Sequence, residues 1–171
     1  MKPAQPEDGH RWLQQLVGEW TFESDSPNAG ESHRGTERVR RLGDLWVVGE
    51  SQMEMPGGGV GNAIMTLGYD PRRKRFCGTW VGDMMANLWV YDGELDESGR
   101  VLSLYSEGPS FNEKGELSTT ETSQYRDQIE LHDDGYRTFS GSVKDANGQW
   151  QRFMLTHYRR VSGASRAEKA S

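Results

Sequence analysis

Hydrophobic and polar residues alternate through most of the chain from Glu19 onward, which is the pattern of strands with one buried face. Short segments rich in Gly, Asp, Asn or Pro separate the alternating runs, and such segments are typical of hairpin turns. The runs are EWTFES, GTERVRRL, LWVVGESQMEM, NAIMTLGYD, RFCGTWVG, ANLWVYDGEL, RVLSLYSEG, STTETSQYRDQIEL, YRTFSGSV and QWQRFMLTHYRRV. They predict about ten antiparallel strands joined in chain order.

A helical pattern precedes the strands. Its apolar positions recur at the spacing of one helix face: Trp12, Leu13, Leu16 and Val17. Glu7 and Asp8 favour a helix start, where the helix dipole is positive, and Gly18 favours its end. We therefore predict one short helix over about residues 7–16.

The number of predicted strands also bears on the shape of the sheet. An open sheet of this size without covering helices would expose two edges, so closure into a barrel is expected. We predict an all-β fold: a single up-and-down antiparallel β-barrel of about ten strands with a short N-terminal helix. One domain would span residues 1–171, with a loose arm over 1–6, the barrel over about 18–161 and a frayed tail over 162–171. A barrel of this size has room for a ligand.

The composition of the chain limits which molecules and membranes it is expected to bind, and in which compartment. The net charge of −6 disfavours nucleic acid and anionic membranes as partners. The single cysteine, Cys77, cannot form an internal disulfide, and the first residues lack the apolar run of a signal peptide. No stretch approaches the roughly 20 apolar residues of a membrane span. The expectation is a cytoplasmic protein, either a monomer or a homodimer.

The segment LVGEW, at the junction of the predicted helix and the first strand, suggests how one barrel end is closed. Gly18 lets the chain turn from helix into strand, and Trp20 points to the same side two residues later. An arginine of the last strand can stack on that indole ring. We choose Arg160 rather than Arg159 because Arg160 shares strand parity with Tyr158.

A short helix, Gly-x-Trp on the first strand and an arginine on the last resemble the calycin-like barrels, which include lipocalins and nitrobindins. The resemblance becomes closer across LGYDPRRKRFCGTWVGDM, GELDESGRVLSL and LTHYRR. Together with LVGEW, these segments resemble the uncharacterised bacterial family catalogued as domain of unknown function 1579. The resemblance extends from about Leu13 to Arg160 and implies a calycin-like barrel rather than a particular activity.

Aromatic and methionine residues are frequent for so polar a chain, with six Trp and seven Met. Flat rings and flexible thioethers make an adaptable apolar lining, although ordinary core packing would use the same residues. We predict that the chain binds a small, largely apolar molecule inside the barrel, without a cofactor. The predicted lining is Trp80, Met84, Trp89 and Met154.

Two alternatives use other side chains. An enzyme would act on a bound lipid-like or cyclic substrate with Glu50 or Asp83 as the acid or base, although alternating carboxylates are also typical of a solvent-facing strand surface. A haem protein would ligate iron through His157, as the resemblance to nitrobindins suggests. The other histidines have no metal-ligand spacing, so no metal site is predicted. We favour binding over both alternatives.

Overall fold

Ten antiparallel strands form a closed barrel in the part of the chain that the computed structural model describes, residues 1–25, 33–55, 57–112 and 114–161. The strands are β1 (Gly18–Asp25), β2 (His33–Leu42), β3 (Trp46–Glu54), β4 (Val60–Asp70), β5 (Arg75–Gly82), β6 (Trp89–Leu95), β7 (Val101–Phe111), β8 (Leu117–Leu131), β9 (Tyr136–Lys144) and β10 (Trp150–Arg160). Each pairs with its neighbours in chain order, and β10 pairs with β1. The predicted up-and-down barrel is confirmed. The tail predicted over 162–171 lies outside the described residues.

The N-terminal helix is shorter than predicted. Helix α1 covers Asp8–Leu13, and a 3-10 turn over Gln14–Leu16 follows it. The helix closes one end of the barrel, where the indole N–H of Trp12 donates to the carbonyl of Gly99 over 2.8 Å. Among the described residues, no helix has the length and apolar character needed to span a bilayer.

Gly18 connects this turn to β1 in a backbone conformation that other residues rarely adopt. Its φ is 146° and it is buried, so a side chain would meet both strain and crowding. We expect Gly18→Ala to lower the free energy of unfolding by roughly 1 to 3 kcal/mol, measured by urea denaturation. Thr21→Ala, on the exposed face of the same strand, is the control and should change it by about 0.5 kcal/mol or less. Equal effects of the two variants would contradict this account of Gly18.

The barrel interior has two different halves. Next to the helix, buried apolar side chains fill the space, and we call this the packed half: Trp12, Leu13, Leu16, Val17, Trp20, Val39, Val47, Leu67, Phe76, Tyr91, Leu102, Leu104 and Ile129. The other half contains a cavity that is open at the barrel end away from the helix. The inward-facing residues of β8 contribute to both halves: Tyr125 and Asp127 line the cavity, and Ile129 belongs to the packed half.

Candidate ligand-binding cavity

The cavity has a volume of about 380 Å³, within the range of sites for small molecules. Side chains from both ends of the sequence reach it because the barrel closes between β1 and β10. Its lining is mainly aromatic and methionine: Phe22, Met53, Trp80, Met85, Trp89, Tyr91, Phe111, Tyr125, Phe139, Phe153, Met154 and Tyr158. Phe153 is present because a register shift on β10 between Arg152 and Met154 interrupts the regular alternation.

Contacts among the lining residues hold the wall in place. The rings of Trp89 and Tyr125 meet edge to face with centroids 5.0 Å apart. The indole N–H of Trp89 donates to the sulfur of Met85 over 3.2 Å, and the hydroxyl of Tyr125 donates to the carbonyl of Pro109 over 2.7 Å. The polar atoms of these two rings are therefore already satisfied by the protein, and the rings offer a ligand their apolar surfaces.

One carboxyl group lies inside this apolar lining. The hydroxyl of Tyr91 donates to Oδ2 of Asp127 over 2.7 Å. Burial raises the pKa of Asp127 to about 6, and the Tyr91 hydrogen bond opposes that rise only in part. Burial and the neighbouring Asp127 raise the pKa of Tyr91 well above its ordinary value. Asp127 can therefore gain or lose a proton near neutral pH while Tyr91 remains a hydrogen-bond donor.

The second oxygen of Asp127 is left uncovered. Asp127 is in register with Gly141 on β9, where a Cβ atom would lie 3.3 Å from Oδ1. Within the described residues, Oδ1 has no hydrogen-bond partner. The ring of Phe153 also lies against Gly141, and beside it Oδ1 can accept a hydrogen bond from a molecule in the cavity.

The floor of the cavity contains an ion pair. Arg137 on β9 and Glu37 on β2 are joined by a hydrogen-bonded salt bridge, with side-chain exposures of 4% and 10%. The guanidinium of Arg137 lies 4.0 Å from the ring centroid of Tyr158 and 4.6 Å from that of Trp20. Burial, together with the charge of Glu37, raises the pKa of Tyr158. The ion pair therefore lies beneath Tyr158, a residue of the cavity lining, and its two charges balance each other.

The closed end of the barrel contains the residues of the LVGEW segment. Trp20 is 1% exposed, and its indole N–H donates to the carbonyl of Leu16 over 2.9 Å. The guanidinium of Arg160 lies 4.2 Å from the centroid of the Trp20 ring. It also donates to the carbonyls of Val17 and Gln15 over 2.7 and 3.1 Å. Arg160 thereby links the last strand to the end of the helix.

Arg159 has the opposite orientation. It lies over the ring of Tyr136 at 4.4 Å on the outer surface. The two arginines therefore face opposite sides of the sheet, as strand geometry requires.

Three of the four predicted lining residues, Trp80, Trp89 and Met154, line the cavity, whereas Met84 does not. Strand β5 ends at Gly82, and the chain then turns, so strand alternation no longer determines the direction of Met84. Met85 occupies the lining position instead.

Both carboxylates considered for catalysis lie away from the cavity. Glu50 is on the outer face of β3, 3.6 Å from the guanidinium of Arg40. Asp83 follows β5 in an exposed turn and accepts two hydrogen bonds from Asn62, over 2.9 and 2.7 Å, which lower its pKa. Neither side chain lines the cavity, so neither contacts the interior in which we expect a ligand.

His157 also faces outward, so the structure does not support it as a haem ligand inside the barrel. Its Nδ1 lies 2.8 Å from the hydroxyl of Tyr136 and its Nε2 lies 3.1 Å from a carboxylate oxygen of Asp25. Both ring nitrogens are therefore engaged by protein groups, and His157 itself does not line the cavity. Within the described residues, no cluster of His, Cys, Asp and Glu is arranged to hold a metal ion.

The sequence matches one known family over most of its length. The family described as "Protein of unknown function (DUF1579)" matches residues 5–160. The chain belongs to the DUF1579 family. This DUF1579 protein is similar to the crystal structure of Rv2717c from M. tuberculosis, with a TM-score of 0.60 and 12% identity over 92% of this chain and 99% of that one.

A second structure similar to the DUF1579 protein is the S-type phycobiliprotein lyase CPES from Guillardia theta. Its TM-score is 0.57 and its identity 12%, over 93% of this chain and 100% of that one. At such identities the likeness concerns the fold alone. None of the curated proteins compared with the DUF1579 protein matches it.

Proposed function

We propose that this DUF1579 protein binds a small, largely apolar molecule in the barrel cavity. The observation that carries the proposal is the cavity of about 380 Å³ with its lining of rings and thioethers. The packed half differs, because buried aliphatic and aromatic side chains occupy most of its space. Placing an apolar molecule in the cavity would bury apolar surface that the fold leaves uncovered, at roughly 25 cal/mol for each Å².

The few polar groups in the lining limit what such a molecule can be. In the part of the chain that the structure describes, the hydroxyl of Ser106 lies buried without a hydrogen-bond partner, and Oδ1 of Asp127 accepts no hydrogen bond. A ligand with one or two polar atoms on an apolar body would fit this distribution, because polar groups in such sites fix orientation and the apolar wall provides most of the affinity. Native mass spectrometry of the purified protein should detect a retained small molecule of this kind.

A variant that fills the cavity tests the proposal directly. Ser106→Phe places a ring in the cavity and removes an unsatisfied hydroxyl, so it should fold. We expect it to weaken binding of the neutral dye N-phenyl-1-naphthylamine, followed by fluorescence, by about tenfold or more, since the ring and dye compete for one space.

The neighbouring position provides the matched control. Glu107→Phe introduces the same ring on the exposed face of β7 and should leave dye affinity within about twofold of the original. Thermal melts of both variants verify folding. If the dye fails to bind the original protein, or binds equally well to folded Ser106→Phe protein, the cavity is not the binding site.

Asp127 favours a second candidate function, acid–base catalysis on the bound molecule. A carboxyl group with a pKa of about 6 can transfer protons efficiently near neutral pH. The molecule extracted from the purified protein would be incubated with ligand-free protein and its mass and chromatographic position followed. Catalysis predicts conversion that Asp127→Asn abolishes while binding persists, whereas a binding protein returns the molecule unchanged.

A further inference from the structure

Among the described residues, Asp127 has no lysine or arginine partner. No lysine or arginine is among the described residues that line the cavity, and Arg137 below the floor is already paired with Glu37. The hydrogen bond from Tyr91 reaches only Oδ2. An ionised carboxylate in an apolar environment is costly unless a positive charge or further hydrogen bonds compensate it. The site therefore lacks one positive partner.

Several strands contribute polar or ionisable groups to the surroundings of Asp127. Tyr91 on β6 and Tyr158 on β10 contribute hydroxyl groups, and Ser106 on β7 contributes another. Tyr125 on β8, whose hydroxyl donates to the carbonyl of Pro109, and Asp25 on β1 and His33 on β2 at the mouth complete the ionisable lining within the described residues. The neighbours of Asp127 on β8, Arg126 and Gln128, have the opposite strand parity and point outward.

We propose that the ligand carries one cationic nitrogen on an apolar body, and that this nitrogen lies against the free oxygen of Asp127 among the aromatic rings of the cavity. This rests on the proposed function, which it makes specific to amines and quaternary ammonium compounds. The same rings that bury an apolar body also attract a cation through their faces. An anionic ligand would instead be repelled by Asp127, and a neutral ligand would leave the carboxylate without a partner.

Two probe molecules of the same shape but different charge distinguish the effect of charge on affinity from the effect of shape. Benzyltrimethylammonium carries a permanent positive charge, and neopentylbenzene replaces its nitrogen by carbon. Displacement of N-phenyl-1-naphthylamine from the cavity reports the affinity of each at about pH 7.5, where Asp127 is ionised. We expect Asp127→Asn to weaken the binding of benzyltrimethylammonium by roughly 10- to 100-fold. The affinity for neopentylbenzene should change by less than about twofold. Asp25→Asn, at the mouth, controls for general loss of negative charge.

A pH series adds a second readout. Since benzyltrimethylammonium does not titrate, its affinity should rise from about pH 5 to about pH 7.5 as Asp127 loses its proton. The rise should disappear in Asp127→Asn and persist in His33→Gln, which removes the imidazole at the mouth. Neopentylbenzene should show no rise.

The outcomes distinguish the two proposals. If neopentylbenzene and the dye bind but benzyltrimethylammonium is insensitive to Asp127→Asn, the amine inference is overturned and the apolar cavity remains a binding site. If none of the three molecules binds, both proposals are overturned. If Asp127→Asn protein still unfolds cooperatively but binds neither benzyltrimethylammonium nor neopentylbenzene, Asp127 has a role in cavity shape and the inference is also overturned.

Discussion

Replacing Trp20 by alanine should lower the free energy of unfolding by roughly 3 to 5 kcal/mol, the largest loss expected of any single change considered. Trp20 is buried at the junction of the helix and β1, and the guanidinium groups of Arg160 and Arg137 both lie over its ring. Removing the ring therefore opens a space in the packed half and leaves two arginines without their aromatic partner. Urea denaturation followed by circular dichroism measures the loss.

The two C-terminal arginines provide graded controls for this prediction. Arg160→Ala should cost about 1 to 2 kcal/mol, because it removes a desolvated stacking contact together with hydrogen bonds to the helix end. Arg159→Ala should cost about 0.5 kcal/mol or less, because Arg159 is exposed on the outer surface. If Arg159→Ala proved as damaging as Trp20→Ala, the closed end would not depend on this contact.

Asp127→Asn should raise the stability of ligand-free protein by roughly 2 to 3 kcal/mol at about pH 7.5 and change it little at about pH 4. The folded chain holds the Asp127 proton up to about pH 6, whereas the unfolded chain releases it near the ordinary value of 3.8. The contribution of Asp127 to the free energy of unfolding is therefore present at low pH and is lost as the pH rises through about 6. Asparagine keeps the shape but cannot ionise, so it removes that loss.

Other aspartates act in the opposite direction, so the informative quantity is the difference between the variant and the original protein across pH. Asp83 is the matched control, since hydrogen bonds from Asn62 lower its pKa. Asp83→Asn should reduce stability near neutral pH, with the difference disappearing as the pH falls. A stabilisation by Asp127→Asn that is the same at all pH values would contradict the assigned protonation behaviour.

The strands were predictable because each hairpin has a local signal that depends only on neighbouring residues. Segments such as DESG and DANG end one strand and begin the next, and the observed bounds of β7 and β9 lie close to the predicted runs. Closure followed from the number of strands and the absence of helices to cover two edges. The strand positions and the closure of the barrel could therefore be predicted from the sequence without the structure.

Asp127 escaped prediction because a single polar residue on a strand does not show which face it occupies. Its neighbours at the same parity, Tyr125 and Ile129, are both hydrophobic and buried, and reading the three together would have placed the carboxyl inside. On β9 the pattern is ambiguous, because Tyr136 and Phe139 have opposite parity. The inward direction of Arg137 therefore depends on contacts with Glu37, a hundred residues away in the chain.

Most strands contribute side chains to both halves of the interior, so the backbone should open differently at their two ends. Amide hydrogens beside the packed half, around Ile129, should exchange with deuterium only through large-scale unfolding, whereas those around Tyr125 border the cavity and should exchange through smaller fluctuations. A guest in the cavity would supply the missing contacts. Its binding should therefore slow exchange at the strand ends that border the cavity and leave exchange beside the packed half unchanged. Occupied and empty barrels should then differ in rigidity along the barrel axis.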